Sequence, residues 1–172
     1  MPVVAESERL LRLRALPLSP ALLAMAGAPL PHPALWRCRS GDPFYVYRGA
    51  GVPGAAELIP LWDWHGWALG VRERRDGLEF LRFSIEAPDP PECLARTEPG
   101  LWARLFDALY EDDLELDELA AIAEAVAYRH WPLQLRRRED AEPRFGDGME
   151  HSRWLQEWVA AVDALANGRS GA

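Results

Sequence analysis

The sequence predicts an α+β domain: an antiparallel β-meander of about four to five strands with helices packed on one face, short helices before it and a helical extension after it. Three observations lead there. Between residues 35 and 86, short apolar runs alternate with polar residues and are separated by Gly and Pro clusters. From Pro99 onward the apolar residues recur at three- and four-residue steps instead. The 172 residues are 49% hydrophobic and include 8 Trp, 4 Tyr and 5 Phe, enough for a single core and too many for a disordered chain. The expected layout is one domain, 1–172, with a lead-in of short helices and prolines (1–34), a sheet with its first covering helix (35–110) and the helical extension (111–172).

Each element has its own warrant. Ser7 reads as a helix N-cap, with Leu10, Leu11 and Leu13 following and Pro17 ending the helix. Pro20 opens a second helix at 21–26, which Gly27 stops. Pro29, Pro31 and Pro33 then require extended or turning backbone. Candidate strands are 35–39, 44–48, 57–62, 67–74 and 78–86. In the last two, Trp67, Leu69 and Val71 on one side and Leu81, Phe83 and Ile85 on the other are apolar at alternate positions. Residues opposite each other in an antiparallel pair share a face. A three-residue loop, Arg75-Asp76-Gly77, brings Val71 against Leu81, Leu69 against Phe83 and Trp67 against Ile85, so this register is expected. It also sets Glu73 opposite Glu79.

Pro99 suits a first helical turn, and Leu101, Trp102, Leu105, Phe106 and Leu109 form one apolar face behind it. Leu116, Leu119, Ile122, Ala123, Val126 and His130 predict a second helix reaching Trp131, with Pro132 as its stop. Residues 136–142 are charged and read as a linker. A last helix spans roughly 152–166, with Leu155, Trp158, Val162 and Leu165 on one face. Strands followed by helices give the α+β class.

The net charge is -8, and all 19 basic residues are arginine. The lack of lysine is read as an imprint of a GC-rich genome rather than selection for guanidinium chemistry. Residues 1–50 hold six Arg against three acids, 51–110 six against ten, and 111–172 seven against fourteen. An acidic surface repels phosphate backbones, which argues against nucleic acid as a partner. The same surface attracts a basic protein, or serves solubility alone. No run of about 18 uncharged apolar residues is available to cross a membrane. Cys38 and Cys93 make neither a disulfide framework nor a spaced metal site. Arg9, Arg12 and Arg14 ahead of the apolar stretch 15–28 imitate a secretion signal, but Glu6 and Glu8 sit in the basic part and Pro17 and Pro20 interrupt the apolar one. The expected location is the cytoplasm.

Several residue clusters have both a functional and a structural explanation. The run from Trp62 to Trp67 (Trp-Asp-Trp-His-Gly-Trp) is the densest cluster of large aromatics. It supplies interface anchors or core residues; Trp62 and Trp67 are expected to point inward, with an exposed turn between them and Trp64 the member least explained by the core. Asp63 and His65 as an acid–base or metal pair lack a third group. Neither cysteine sits in a nucleophile signature, and Gly49, Gly51 and Gly54 do not form a phosphate loop. Asp112, Asp113 and Glu115 belong to a run with six acids in eight residues, 111–118. That run suits a helix N-terminus, where the dipole favours negative charge, and equally a patch for a basic partner. The expected partner-binding residues are Trp64, His65, Asp63, Asp112, Asp113 and Glu115, with no catalytic residues, cofactor or metal.

Phe44-Tyr45-Val46-Tyr47-Arg48, then Leu58-Ile59-Pro60-Leu61-Trp62, Gly70-Val71, Asp76-Gly77, Glu79-Phe80 and Phe83-Ser84-Ile85-Glu86 resemble the SUKH superfamily. It groups yeast cell-wall-assembly regulators with bacterial immunity proteins against polymorphic toxins. The resemblance covers about residues 35–110. It implies an α+β fold with an antiparallel sheet flanked by helices, and a non-enzymatic protein that binds and masks another, such as a basic toxin domain. Two alternatives stay open: a regulatory or scaffold protein of the same fold with an endogenous partner, and a small-molecule enzyme with a site near Asp63 and His65.

Overall fold

The structure is a computed structural model that describes residues 6–43, 58–84, 90–146 and 148–168. Helices α1 (Glu6–Arg14) and α2 (Pro20–Ala26) come first, then a 3₁₀ turn η1 (Pro33–Cys38). A four-stranded antiparallel sheet follows in sequential order: β1 (Ile59–Trp64), β2 (Trp67–Arg74), β3 (Gly77–Ser84) and β4 (Glu92–Ala95). The chain closes with α3 (Glu98–Glu111), α4 (Leu116–Ala125), α5 (Trp131–Ala141), a short 3₁₀ turn η2 (Glu142–Arg144) and α6 (Gly148–Gly168). The α+β class and the meander read from the sequence are present.

One core joins all of these segments. Leu13, Leu22 and Met25 from the lead-in, Ile59, Leu61, Trp62, Leu69, Val71 and Phe80 from the sheet, and Leu105, Phe106, Ile122, Trp131, Trp158 and Val162 from the helices form a single buried cluster. Helices α1 and α2 pack on β1, while α6 lies along α3 and reaches β4. The C-terminal helices are therefore part of the one core rather than an appendage to it. Arg9 is fully buried within it. Its guanidinium donates to the carbonyls of Pro60 (2.9 Å) and Leu61 (3.0 Å), next to the bulge between Pro60 and Trp62, and to that of Ala26 (2.9 Å). Carbonyls left out of a ladder at a bulge need such a donor. The stretch that imitates a secretion signal thus folds as α1 and α2, with its first arginine stitched to the sheet.

Several local expectations are corrected. Residues 35–39 are not a strand: Pro33 starts η1, capped by His32, whose ring nitrogen accepts from the Ala34 amide. Ser7 lies inside α1, which begins at Glu6. Strand β1 is 59–64 rather than 57–62, and β4, which carries Cys93, is a strand that is not among those expected. The candidate strand 44–48 lies outside the described residues. Pro132 opens α5 instead of ending the preceding helix, because proline needs no amide donor in a first turn; α4 ends at Ala125 and a link containing Ala127 at φ 55° follows. The charged 136–142 segment is α5 and the start of η2, not a linker.

The β2–β3 register also differs. A two-residue turn, Arg75-Asp76, pairs Arg74 with Gly77, so Val71 faces Phe80, Leu69 faces Arg82 and Gly70 faces Leu81. Leu69, Val71 and Phe80 face the helices, whereas Ala68, Leu81 and Phe83 are buried outside that cluster, on the other side of the sheet. Leu58 lies on Gly70 on that side so closely that an added Cβ would come within 2.7 Å of it. With both faces buried, aligning apolar positions does not discriminate between registers. Charge does: Glu79 now faces Arg72, and their 2.6 Å ion pair replaces the like-charge contact with Glu73.

Candidate partner-binding surface

The β1–β2 hairpin is closed by His65-Gly66, with Trp64 paired to Trp67. Both turn residues have positive φ, 47° and 80°, the geometry of a two-residue turn whose twist matches the strands it joins. Glycine tolerates this freely, and histidine is among the residues that adopt it with modest strain. A tight two-residue turn results, rather than a longer loop.

The structure redistributes the roles expected around it. Asp63 and Trp64 belong to β1, not to an exposed turn: Asp63 is buried and Trp64 packs against the core. Trp67, expected inside, is the exposed one at 37%, and the Arg82 guanidinium lies 4.6 Å from its ring centroid. Trp62 is fully buried, as expected. His65 is exposed. Its proximity to Asp63 creates no metal centre: among the described residues no group of three or more His, Cys, Asp and Glu side chains is placed to hold one.

The tip is tied to the segment that follows η1. The Ser40 amide donates to the Asp63 carbonyl (2.7 Å), the Asp63 amide to the Gly41 carbonyl (3.1 Å), and the His65 amide to Ser40 Oγ (2.9 Å). Three residues earlier, the Arg37 guanidinium donates to the Asp112 carbonyl (3.4 Å) at the end of α3. Trp36, next to Arg37 in the chain, is 62% exposed and sits beneath the Arg37 guanidinium at 5.5 Å. Three residues span at most about 11 Å. One short strap, 36–41, therefore connects the hairpin tip to the acidic link, by backbone bonds at one end and the Arg37 side chain at the other.

In that link Asp112 caps α3 through its backbone, Asp113 has φ 55°, and Glu115 occupies the cap position of α4 without a side-chain capping bond. All three carboxylates point to solvent. Asp117 and Glu118, in the first turn of α4, take the helix-start role, which leaves the upstream acids available. Sequence reasoning missed Trp36, Arg37 and Ser40, because it read 35–39 as a strand of the sheet rather than as a surface turn. The signal for their exposure was Pro33 as a helix opener. Cys38 itself is buried, and burial pushes its thiol well above the usual range, a setting for an inert core residue rather than a nucleophile.

A second polar cluster pins the C-terminal helices. Arg138 on α5 is only 4% exposed and lies over the rings of Phe145 (4.9 Å), Tyr110 (5.3 Å) and Trp154 (5.6 Å). It donates to Glu111, with Asp107 at 3.6 Å and Glu142 at 3.9 Å. His151 Nε2 on α6 sits 3.0 Å from Asp107 Oδ2. Burial raises the Asp107 carboxyl above its usual range despite the opposing pull of His151, Arg138 and Arg104. These groups lock α5 and α6 onto α3. No family model, curated protein or solved structure matches the chain.

Proposed function

We propose that this is a protein-binding module of the immunity type suggested by the SUKH-like run, one that docks a basic partner, such as a toxin domain, on the surface formed by the hairpin tip, the 36–41 strap and the 112–115 link. The observation that carries the reading is the strap, which carries exposed Trp36 and is bonded at one end to the tip with exposed Trp67 and His65 and at the other to the link with exposed Asp112, Asp113 and Glu115. Exposed aromatic anchors with charge around them are the ingredients of a binding hot spot. Acidic groups at its rim speed encounter with a positively charged partner. Nothing in this surface requires chemistry on the partner; occlusion suffices.

The test is to express the products of neighbouring genes with and without this protein, and to repeat it with Trp36→Ala/Trp67→Ala and with Asp112→Arg/Asp113→Arg. Rescue of a toxic neighbour that both variants lose supports the proposal. Rescue retained by both variants overturns the choice of surface. Neighbours that are neither toxic nor bound overturn the immunity role and favour an endogenous partner for the same fold.

A further inference from the structure

At the other end of the β2–β3 ribbon lies a groove of about 700 Å³, within the range that holds small ligands. It opens where the start of α3, the α4–α5 link and the end of α6 converge on Gly77 and Leu78. Leu18, Leu78, Trp102 and Leu165 line it with apolar surface. Its charged members are Glu98, Arg96 and Arg129.

Their commitments differ. Glu98 is held by three neutral donors: one oxygen accepts from the Ser19 amide (2.9 Å), the other from Ser19 Oγ and from Trp102 Nε1 (3.1 Å). These bonds fix the carboxylate in the wall, and the two guanidiniums outnumber its single charge. Arg96 is 60% exposed; its guanidinium makes a loose 3.8 Å contact to Glu79, and its amide donates to Asp163 (2.9 Å). Arg129 is exposed in the α4–α5 link. In a protein of net charge -8, the groove thus presents apolar walls, one carboxylate held by neutral donors and two accessible guanidiniums.

We propose that this groove is a binding site for a free amphipathic carboxylate, whose apolar body lies between Leu18, Leu78, Trp102 and Leu165 and whose head group pairs with Arg129 and Arg96. Guanidinium pairing with a carboxylate is strong and directional, and beside an apolar wall it is less screened than on open surface. The site is independent of the partner-binding surface, which sits at the opposite end of β2.

Calorimetric titration of the full chain with octanoate, 1-octanol and octylammonium tests the proposal, because the three share a body and differ in head group. Octanoate is expected to bind at least about tenfold more tightly than octylammonium, with octanol between them, a gap that one charge-assisted pair supplies. In Arg129→Glu, an exposed substitution that the fold tolerates, the order of octanoate and octylammonium reverses. In Ala166→Trp, which fills the groove from α6, all three lose binding while the melting temperature is held. Absence of octanoate binding, equal affinity for the three probes, an unchanged order in Arg129→Glu, or undiminished binding in Ala166→Trp overturns it.

Discussion

Strand β2 leaves one two-residue turn and enters another, and the two ends of the strand could hardly be built more differently. At the His65-Gly66 end both turn residues have positive φ, the flanking residues are tryptophans, and Trp67 is exposed. At the Arg75-Asp76 end the register is fastened by charge. Glu79 meets Arg72 at 2.6 Å and Arg74 at 3.4 Å, and Phe80 beside it is completely buried. The first end spends its aromatic surface outward, the second inward. A turn's length therefore says little about its role; what matters is whether the apolar side chains next to it find a helix to pack against.

Substitutions can break or sharpen this contrast. The largest effect is expected for Phe80→Ala, which empties a fully buried ring from the centre of the core: about 3–5 kcal/mol by denaturant unfolding, against less than about 1 kcal/mol for Trp67→Ala. Equal losses would show that the open end is as tightly packed as the closed one. Next comes Glu79→Gln, which strips the carboxylate from Arg72 and Arg74 and is expected to cost roughly 1.5–3 kcal/mol in the same assay. A neutral outcome would mean that backbone pairing alone sets the β2–β3 register. Gly66→Ala places a Cβ at φ 80° and should cost about 1 kcal/mol, while weakening any partner held by the tip.

The smallest effects are pH slopes, and they have opposite signs for two buried acids. Burial alone would raise the Glu79 carboxyl, but its hydrogen bonds and charge contacts with Arg72 and Arg74 outweigh that and hold it below the usual range. Its contribution is full above the unfolded value, about 4.3, and is lost as pH falls through the lower folded value. Asp107 is raised, chiefly by burial, so the folded state holds its proton more tightly than the unfolded one. Its contribution is greatest below the unfolded value, about 3.9, and declines as pH rises through the folded one. Melting curves between pH 3 and 7 should show a shallower acid-side loss in Glu79→Gln and a steeper one in Asp107→Asn. Parallel slopes in both variants would contradict these assignments.

The legible parts of the fold were those with a single physical meaning. Three- and four-residue spacing exposed α3 and α6, Pro20 with Gly27 bounded α2, and the Gly-interrupted alternation revealed the hairpins. The Trp62–Trp67 run was recognisable as a special region, yet Trp64 and Trp67 exchanged their expected roles. Parity alone does not say how far a strand extends before its tip leaves the helical cover. The acidic run was equally visible, but its connection to the tip depends on Arg37 and Ser40, which lie 75 and 25 residues from their partners.

What the sequence by itself determined is the α+β class, the central hairpins followed by helices, and many of the apolar positions from which one core is made, because hydrophobic periodicity and proline or glycine punctuation act over a few residues. Tertiary structure decided the register of β2 on β3, the burial of Arg9 and Arg138, and the joining of two distant patches by the 36–41 strap. Those outcomes depend on which carbonyls a bulge leaves open, which carboxylates meet a guanidinium, and which faces are covered from both sides. Such long-range pairings leave no periodic trace in the chain.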